Sequence, residues 1–130
     1  MNVTINTQPC LFACDLAAAK AAQERGIQPD CAAGFSLGEA AAVAFSGMLT
    51  EAEAFSMVCK RAELMNEAAQ KNPGAMAAVM KLSPQQVETL CGPIENAWPV
   101  NYNSPKQTVV AASADTIDQV VEAASAQRGR

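Results

Sequence analysis

Apolar residues in the first half of the chain recur at helical intervals, broken by a few turn-forming residues. Leu11, Cys14, Ala18 and Ala22 share such a spacing and predict a helix over residues 7–25. Thr7 is placed to cap it, Pro9 falls in its first turn and Gly26 stops it. Residues 31–34 form a short apolar run after a Pro29-Asp30 turn and predict a buried strand. A second helix is expected over residues 37–46, ending at Gly47. Thr50-Glu51-Ala52-Glu53 has the spacing of a capping box. It opens a long helix through Ala54, Met57, Val58, Ala62 and Met65 to about residue 70, where Asn72-Pro73-Gly74 breaks the pattern.

The pattern then shortens. Residues 75–81 read as a strand, and Ser83-Pro84-Gln85-Gln86 as the capped start of a short helix to Cys91. Residues 98–102 and 108–112 read as two strands joined by Asn103-Ser104-Pro105-Lys106. A last helix over residues 114–126 puts Ile117, Val120, Val121 and Ala124 on one face. The order β-α-β-β-α is that of a split β-α-β unit without its final strand. The first half, α-β-α-α, holds too few strands to close a sheet. The chain is therefore α/β, with a boundary expected between residues 1–72 and 73–130.

Composition narrows the function classes. Half of the residues are apolar, but 27 of them are alanine and only six are aromatic, so a thin core is expected. The net charge of −4 comes from interspersed charges, without the basic clusters that nucleic-acid binding needs. No apolar stretch is long enough to span a bilayer, and Met1 to Gln8 lacks the blocks of a signal peptide. Five cysteines, Cys10, Cys14, Cys31, Cys59 and Cys91, stand at irregular spacing among apolar neighbours and read as buried reduced thiols. A cytoplasmic setting follows. No metal site is expected from a chain without histidine or a C-x-x-C pair.

The candidate chemistry lies in Gly34-Phe35-Ser36-Leu37-Gly38, a G-x-S-x-G pentapeptide between the short strand and the second helix. A serine in such a turn has its hydroxyl pushed clear of the backbone. The helix N-terminus beside it offers free N–H groups to an oxyanion. Both glycines are expected to avoid collisions with the neighbouring strand and helix. From the residues alone Ser36 reads equally well as a helix cap, since Glu39 completes a capping box. Arg61 by itself reads as a surface residue paired with Glu53 or Glu63. Met57, Met65, Met76 and Met80 read as core filling, and Asn101 and Asn103 serve a turn or a pocket equally well.

Six ordered blocks together resemble the malonyl-CoA:acyl-carrier-protein transacylase family. They are Thr7-Gln8-Pro9 with Leu11-Phe12; Pro29-Asp30; Ala33-Gly34-Phe35-Ser36-Leu37-Gly38-Glu39; Lys60-Arg61-Ala62-Glu63-Leu64-Met65; Gly74-Ala75-Met76-Ala77-Ala78-Val79; and Asn101-Tyr102-Asn103-Ser104-Pro105. The resemblance implies part of an α/β-hydrolase-like core followed by an incomplete ferredoxin-like (β-α-β-β-α) subdomain. It implies an internal slice of the enzyme, without the earlier segment that supplies an oxyanion-hole glutamine or the later one that supplies the catalytic histidine.

By that resemblance Ser36 is the nucleophile and the Leu37 N–H one oxyanion-hole donor. Arg61 pairs with the free carboxylate of the malonyl group, a task suited to a planar guanidinium. Gln8 and Asn103 match substrate-binding positions. Phe35 stands where the family usually has histidine, and altered packing is expected there. The implied partners are malonyl-CoA, as substrate, and acyl carrier protein; no cofactor, nucleic acid or membrane is implied. The implied activity is malonyl transfer through a malonyl-serine intermediate in fatty-acid biosynthesis, weak or absent in this histidine-free chain. The alternative is a non-catalytic acyl-CoA- or carrier-protein-binding fragment that self-associates or joins a complementing polypeptide.

Overall fold

The computed structural model describes residues 3–130; Met1 and Asn2, the start of the stretch read for targeting signals, lie outside the described residues. Eight elements follow one another among the described residues: α1 (Thr4–Glu24), α2 (Gly38–Phe45), α3 (Glu51–Lys71), β1 (Gly74–Met80), α4 (Pro84–Cys91), β2 (Ala97–Ser104), β3 (Gln107–Ser113) and α5 (Ile117–Ala126). These five helices and a three-stranded antiparallel sheet make the fold mixed α and β. They divide into two compact units, one ending at Ala68 and the other comprising Ala69–Arg130. No helix among the described residues is long and apolar enough to cross a membrane.

In the first unit α1 starts three residues before the expected cap. Val3 is its N-cap, and Thr7 lies inside the helix with its Oγ1 donating to the Val3 carbonyl at 3.1 Å. A threonine hydroxyl can bond back one turn as readily as it caps. The buried stripe is also not the expected one. Gln8, Phe12 and Leu16 are buried, whereas Leu11, Cys14 and Ala18 are exposed. Alanine recurs all round α1 and does not mark a face, and Phe12 and Leu16 are the large apolar side chains that lie inward. Phe12 and Leu16 pack with Ala40, Ala41 and Ala44 of α2 and Ala54 and Val58 of α3. The Phe12 ring tilts against Phe55, with centroids 6.0 Å apart.

The capping box at α3 forms as read. The Thr50 N–H and hydroxyl both donate to Glu53 Oε2, at 2.9 and 2.6 Å, and the Glu53 N–H donates to Thr50 Oγ1 at 3.2 Å. These bonds hold the Glu53 carboxyl below its ordinary range.

The strand expected at residues 31–34 does not form. Cys31, Ala32 and Ala33 are exposed and irregular, because no strand of the described residues pairs with them. Together with Leu11, Ala19 and Ala22 of α1 and Ala41 of α2 they border an open apolar hollow of about 680 Å³.

The second unit follows its pattern closely. The sheet order is β1-β3-β2, and the two flanking strands pair antiparallel with β3. Ser83 caps α4 in a reciprocal box with Gln86, with Pro84 in the first turn. Val79, Val87, Leu90, Val110, Val120 and Ala124 form the core between the sheet and α4 and α5. Val121, expected on that face, is exposed. α5 starts at Ile117 and not at Ala114, because Ser113 and Thr116 close a turn through a 2.7 Å hydroxyl contact and a 3.1 Å backbone bond. Arg130 exchanges backbone bonds of 2.7 and 3.1 Å with Met80, on the side of β1 away from β3.

The methionines and cysteines depart from expectation. Met57, Met65, Met76 and Met80 all carry substantial exposure. Cys10, Cys14 and Cys31 are exposed, Cys59 is half-buried and only Cys91 is buried; all five are free thiols. Burial pushes the Cys91 thiol above its ordinary range. Apolar neighbours in sequence do not place Cys10, Cys14 and Cys31 inside, because they sit on a helix face or irregular backbone left exposed in their own unit.

Candidate functional site

The G-x-S-x-G segment makes a tight turn into α2. Gly38 donates to the Phe35 carbonyl at 3.0 Å, Glu39 to Ser36 at 3.2 Å and Ala40 to Leu37 at 3.0 Å. Ser36 adopts φ +54°, in the left-handed region that non-glycine residues rarely occupy. The two glycines differ. A Cβ on Gly34 would stand 2.0 Å from the Gly38 carbonyl carbon and 2.2 Å from the Glu39 nitrogen, so only glycine fits there. A Cβ on Gly38 would meet nothing among the described residues, and the expected collision at that position is absent.

Ser36 is not the helix cap. α2 takes Leu37 as its N-cap without any side-chain cap bond, so the box with Glu39 does not form. The Ser36 side chain is exposed, and its Oγ accepts a 3.1 Å hydrogen bond from Arg61 Nη2. The Leu37 N–H, at the positive end of α2, donates to no backbone carbonyl among the described residues.

Arg61 projects from α3 and is half-buried. Its Nη1 donates to Gln8 Oε1 while its Nη2 holds Ser36. The acidic neighbours expected to pair with it are engaged elsewhere: Glu53 with Thr50, and Glu63 with Lys60 at 3.1 Å. Among the described residues the ion pairs are Lys60–Glu63 and Lys20–Glu51, and neither includes Arg61. The guanidinium thus spends its donors on neutral oxygens, and no carboxylate among the described residues neutralises its charge. Gln8 is only 6% exposed and stands on the same stripe as Phe12 and Leu16. Its amide nitrogen donates to Met65 Sδ at 3.4 Å.

The sequence pattern of the acyl transferase domain matches residues 1–130. The chain belongs to the acyl transferase domain family. Malonyl CoA-acyl carrier protein transacylase from Escherichia coli (strain K12) is 33% identical over 130 residues, covering 97% of this chain and 42% of the relative. The corresponding transacylase from Bacillus subtilis (strain 168) is 33% identical over 128 residues, covering 95% of this chain and 40% of the relative. Among solved structures, malonyl CoA-acyl carrier protein transacylase from Coxiella burnetii superposes with a TM-score of 0.90 at 32% identity, covering 99% of this chain and 42% of that one. A type II PKS acyl-carrier protein in complex with its malonyl-transacylase gives 0.85 at 31% identity, covering 99% and 43%. The chain spans about two fifths of the length of the malonyl transacylases it matches.

In this acyl transferase domain chain the structure joins Ser36, Leu37, Arg61 and Gln8 within the first unit. Asn103 belongs to the second unit, where it is exposed at the end of β2 and donates to Gln107 Oε1 at 3.3 Å. Phe35 is 71% exposed and lines the apolar hollow. Met65 escaped the sequence reading as a site residue. The available signal was its position one helical turn beyond Arg61, on the same face of α3.

Proposed function

We propose that this chain carries the acyl-loading half of a malonyl-CoA:acyl-carrier-protein transacylase site. The observation that carries the reading is the bond from Arg61 Nη2 to Ser36 Oγ, which joins a carboxylate-binding cation to an exposed hydroxyl on a strained turn. Ser36 attacks the thioester carbonyl of malonyl-CoA, the Leu37 N–H stabilises the resulting oxyanion, and coenzyme A leaves as the thiol. The phosphopantetheine thiol of acyl carrier protein then attacks the malonyl-serine ester, takes the malonyl group as a thioester and releases Ser36 as its hydroxyl. Arg61 pairs with the free carboxylate, bidentately where geometry allows, and so selects malonyl over acetyl. Gln8 serves this site through Arg61. No cofactor takes part.

The fold assignment that accompanies this reading is an α/β-hydrolase-like core to residue 72 and a ferredoxin-like small subdomain from residue 73, of which this sequence carries parts. The setting is cytoplasmic, in fatty-acid or polyketide synthesis. Turnover by these 130 residues alone is weak, because the sequence has no histidine to take the serine proton. The test is intact-mass analysis after incubation with malonyl-CoA. A slow malonyl-sized increase that Ser36→Ala abolishes supports the reading.

The missing histidine favours a second reading, a non-catalytic acyl-CoA- or carrier-protein-binding chain that self-associates or joins a complementing polypeptide. Folded protein that binds malonyl-CoA without forming an adduct would select it.

A further inference from the structure

Gln8 makes an unusual pair of contacts for a side chain buried to 6% exposure. Its carbonyl oxygen accepts from Arg61 Nη1, and its amide nitrogen donates to the thioether of Met65 at 3.4 Å. A carboxamide can be turned end for end at little steric cost, and the reversed orientation would set its NH₂ against the Arg61 donors. The thioether is a weak acceptor that gives the NH₂ a partner only in the orientation that offers oxygen to the guanidinium. Gln8 and Met65 thereby fix one amino group of Arg61, and the other is left pointing at Ser36 Oγ.

A neutral acceptor is essential to this arrangement. A carboxylate at position 8 would hold Arg61 more tightly but would cancel the charge that an acyl carboxylate has to find. We propose that Gln8 is a positioning residue and not a ligand of the acyl group: its carboxamide, oriented by the Met65 thioether, holds Arg61 over Ser36 with its charge unspent, and thereby sets the preference for carboxylate-bearing acyl groups. This rests on the carboxylate-reading role given above to Arg61.

The experiment measures the affinities of malonyl-CoA and acetyl-CoA for the full chain by calorimetry, in the wild type and in Arg61→Ala, Gln8→Glu and Met65→Leu. Circular dichroism establishes that each variant is folded. Met65→Leu conserves volume, and Gln8→Glu conserves shape and the contact to Arg61. The wild type is expected to prefer malonyl-CoA, and Arg61→Ala to abolish that preference. Gln8→Glu should reduce the malonyl-to-acetyl affinity ratio about tenfold, and Met65→Leu about threefold, in line with one charged contact and one weak hydrogen bond.

A ratio unchanged by both Gln8→Glu and Met65→Leu, with Arg61→Ala still abolishing it, overturns the positioning role and leaves the carboxylate reading intact. A wild type without any preference for malonyl-CoA overturns the carboxylate reading, and this proposal with it. A purely structural part for Gln8 would lower stability without moving the ratio, and that outcome also counts against the proposal.

Discussion

Arg61 Nη2 lies 3.1 Å from Ser36 Oγ although 25 residues separate the two side chains in sequence. The contact depends on two local features that meet: a turn that cannot cap its own helix with its serine, and a long helix whose arginine has no acidic partner among the described residues. Neither feature is chemical by itself. Together they put a positive charge beside a hydroxyl, the arrangement on which the proposed preference for a carboxylate-bearing acyl group rests.

The turn depends on Gly34 far more than on Gly38. Gly34→Ala forces a Cβ into the Gly38 backbone at 2.0 Å, and backbone there cannot give way cheaply. We expect a loss of about 3 kcal/mol in urea unfolding. Gly38→Ala meets no atom and begins a helix, so it should be neutral or stabilising by about 0.5 kcal/mol. Equal losses for the two variants would contradict the assigned geometry.

The start of α3 should be pH-sensitive. The Thr50 hydroxyl, and after it the Thr50 N–H, lowers the Glu53 carboxyl below its ordinary 4.5. A carboxyl lowered in the folded state contributes stability above its unfolded value, and loses that contribution as pH falls through the folded one. Thr50→Ala should cost about 1 kcal/mol at neutral pH through loss of the cap. It should also flatten the decline in thermal stability below pH 4.5, which a series of melts would reveal.

Thr108 on β3 is fully buried, and its hydroxyl finds no hydrogen-bond partner among the described residues. Thr108→Val keeps the branched shape that suits a strand and removes the unsatisfied oxygen. Chemical denaturation should show a gain of about 1 kcal/mol. A loss of similar size would mean that the hydroxyl is satisfied in solution.

Thiol chemistry should separate the cysteines by exposure. Cys10, Cys14 and Cys31 are exposed and should react promptly with a chromogenic disulfide reagent. Cys59 should lag, and Cys91, buried with its thiol raised by desolvation, should react only on unfolding. Prompt reaction of Cys91 would contradict its place in the second unit's core.

Much of this was legible in the sequence where the signal is local. Thr50 with Glu53 and Ser83 with Gln86 form their reciprocal caps because each is complete within four residues. The three strands of the second unit were legible because they pair with one another in the same stretch of chain. Residues 31–34 failed for the converse reason, since a strand is defined by its partner and they have none among the described residues. The inward face of α1 was obscured by alanine, and a polar residue, Gln8, occupies it. The contacts among Gln8, Arg61 and Ser36 are tertiary, and no spacing rule could have joined them; the resemblance to a family supplied the residues but not their bonds.

The most direct measurement of the central claim is competitive loading. Folded chain is incubated with equal malonyl-CoA and acetyl-CoA, and the adducts are compared by intact mass in the wild type and in Arg61→Ala. We expect slow loading at Ser36, with malonyl favoured about tenfold in the wild type and the ratio near one in the variant. A ratio that Arg61→Ala leaves unchanged, or folded protein that forms no serine adduct at all, would contradict the account.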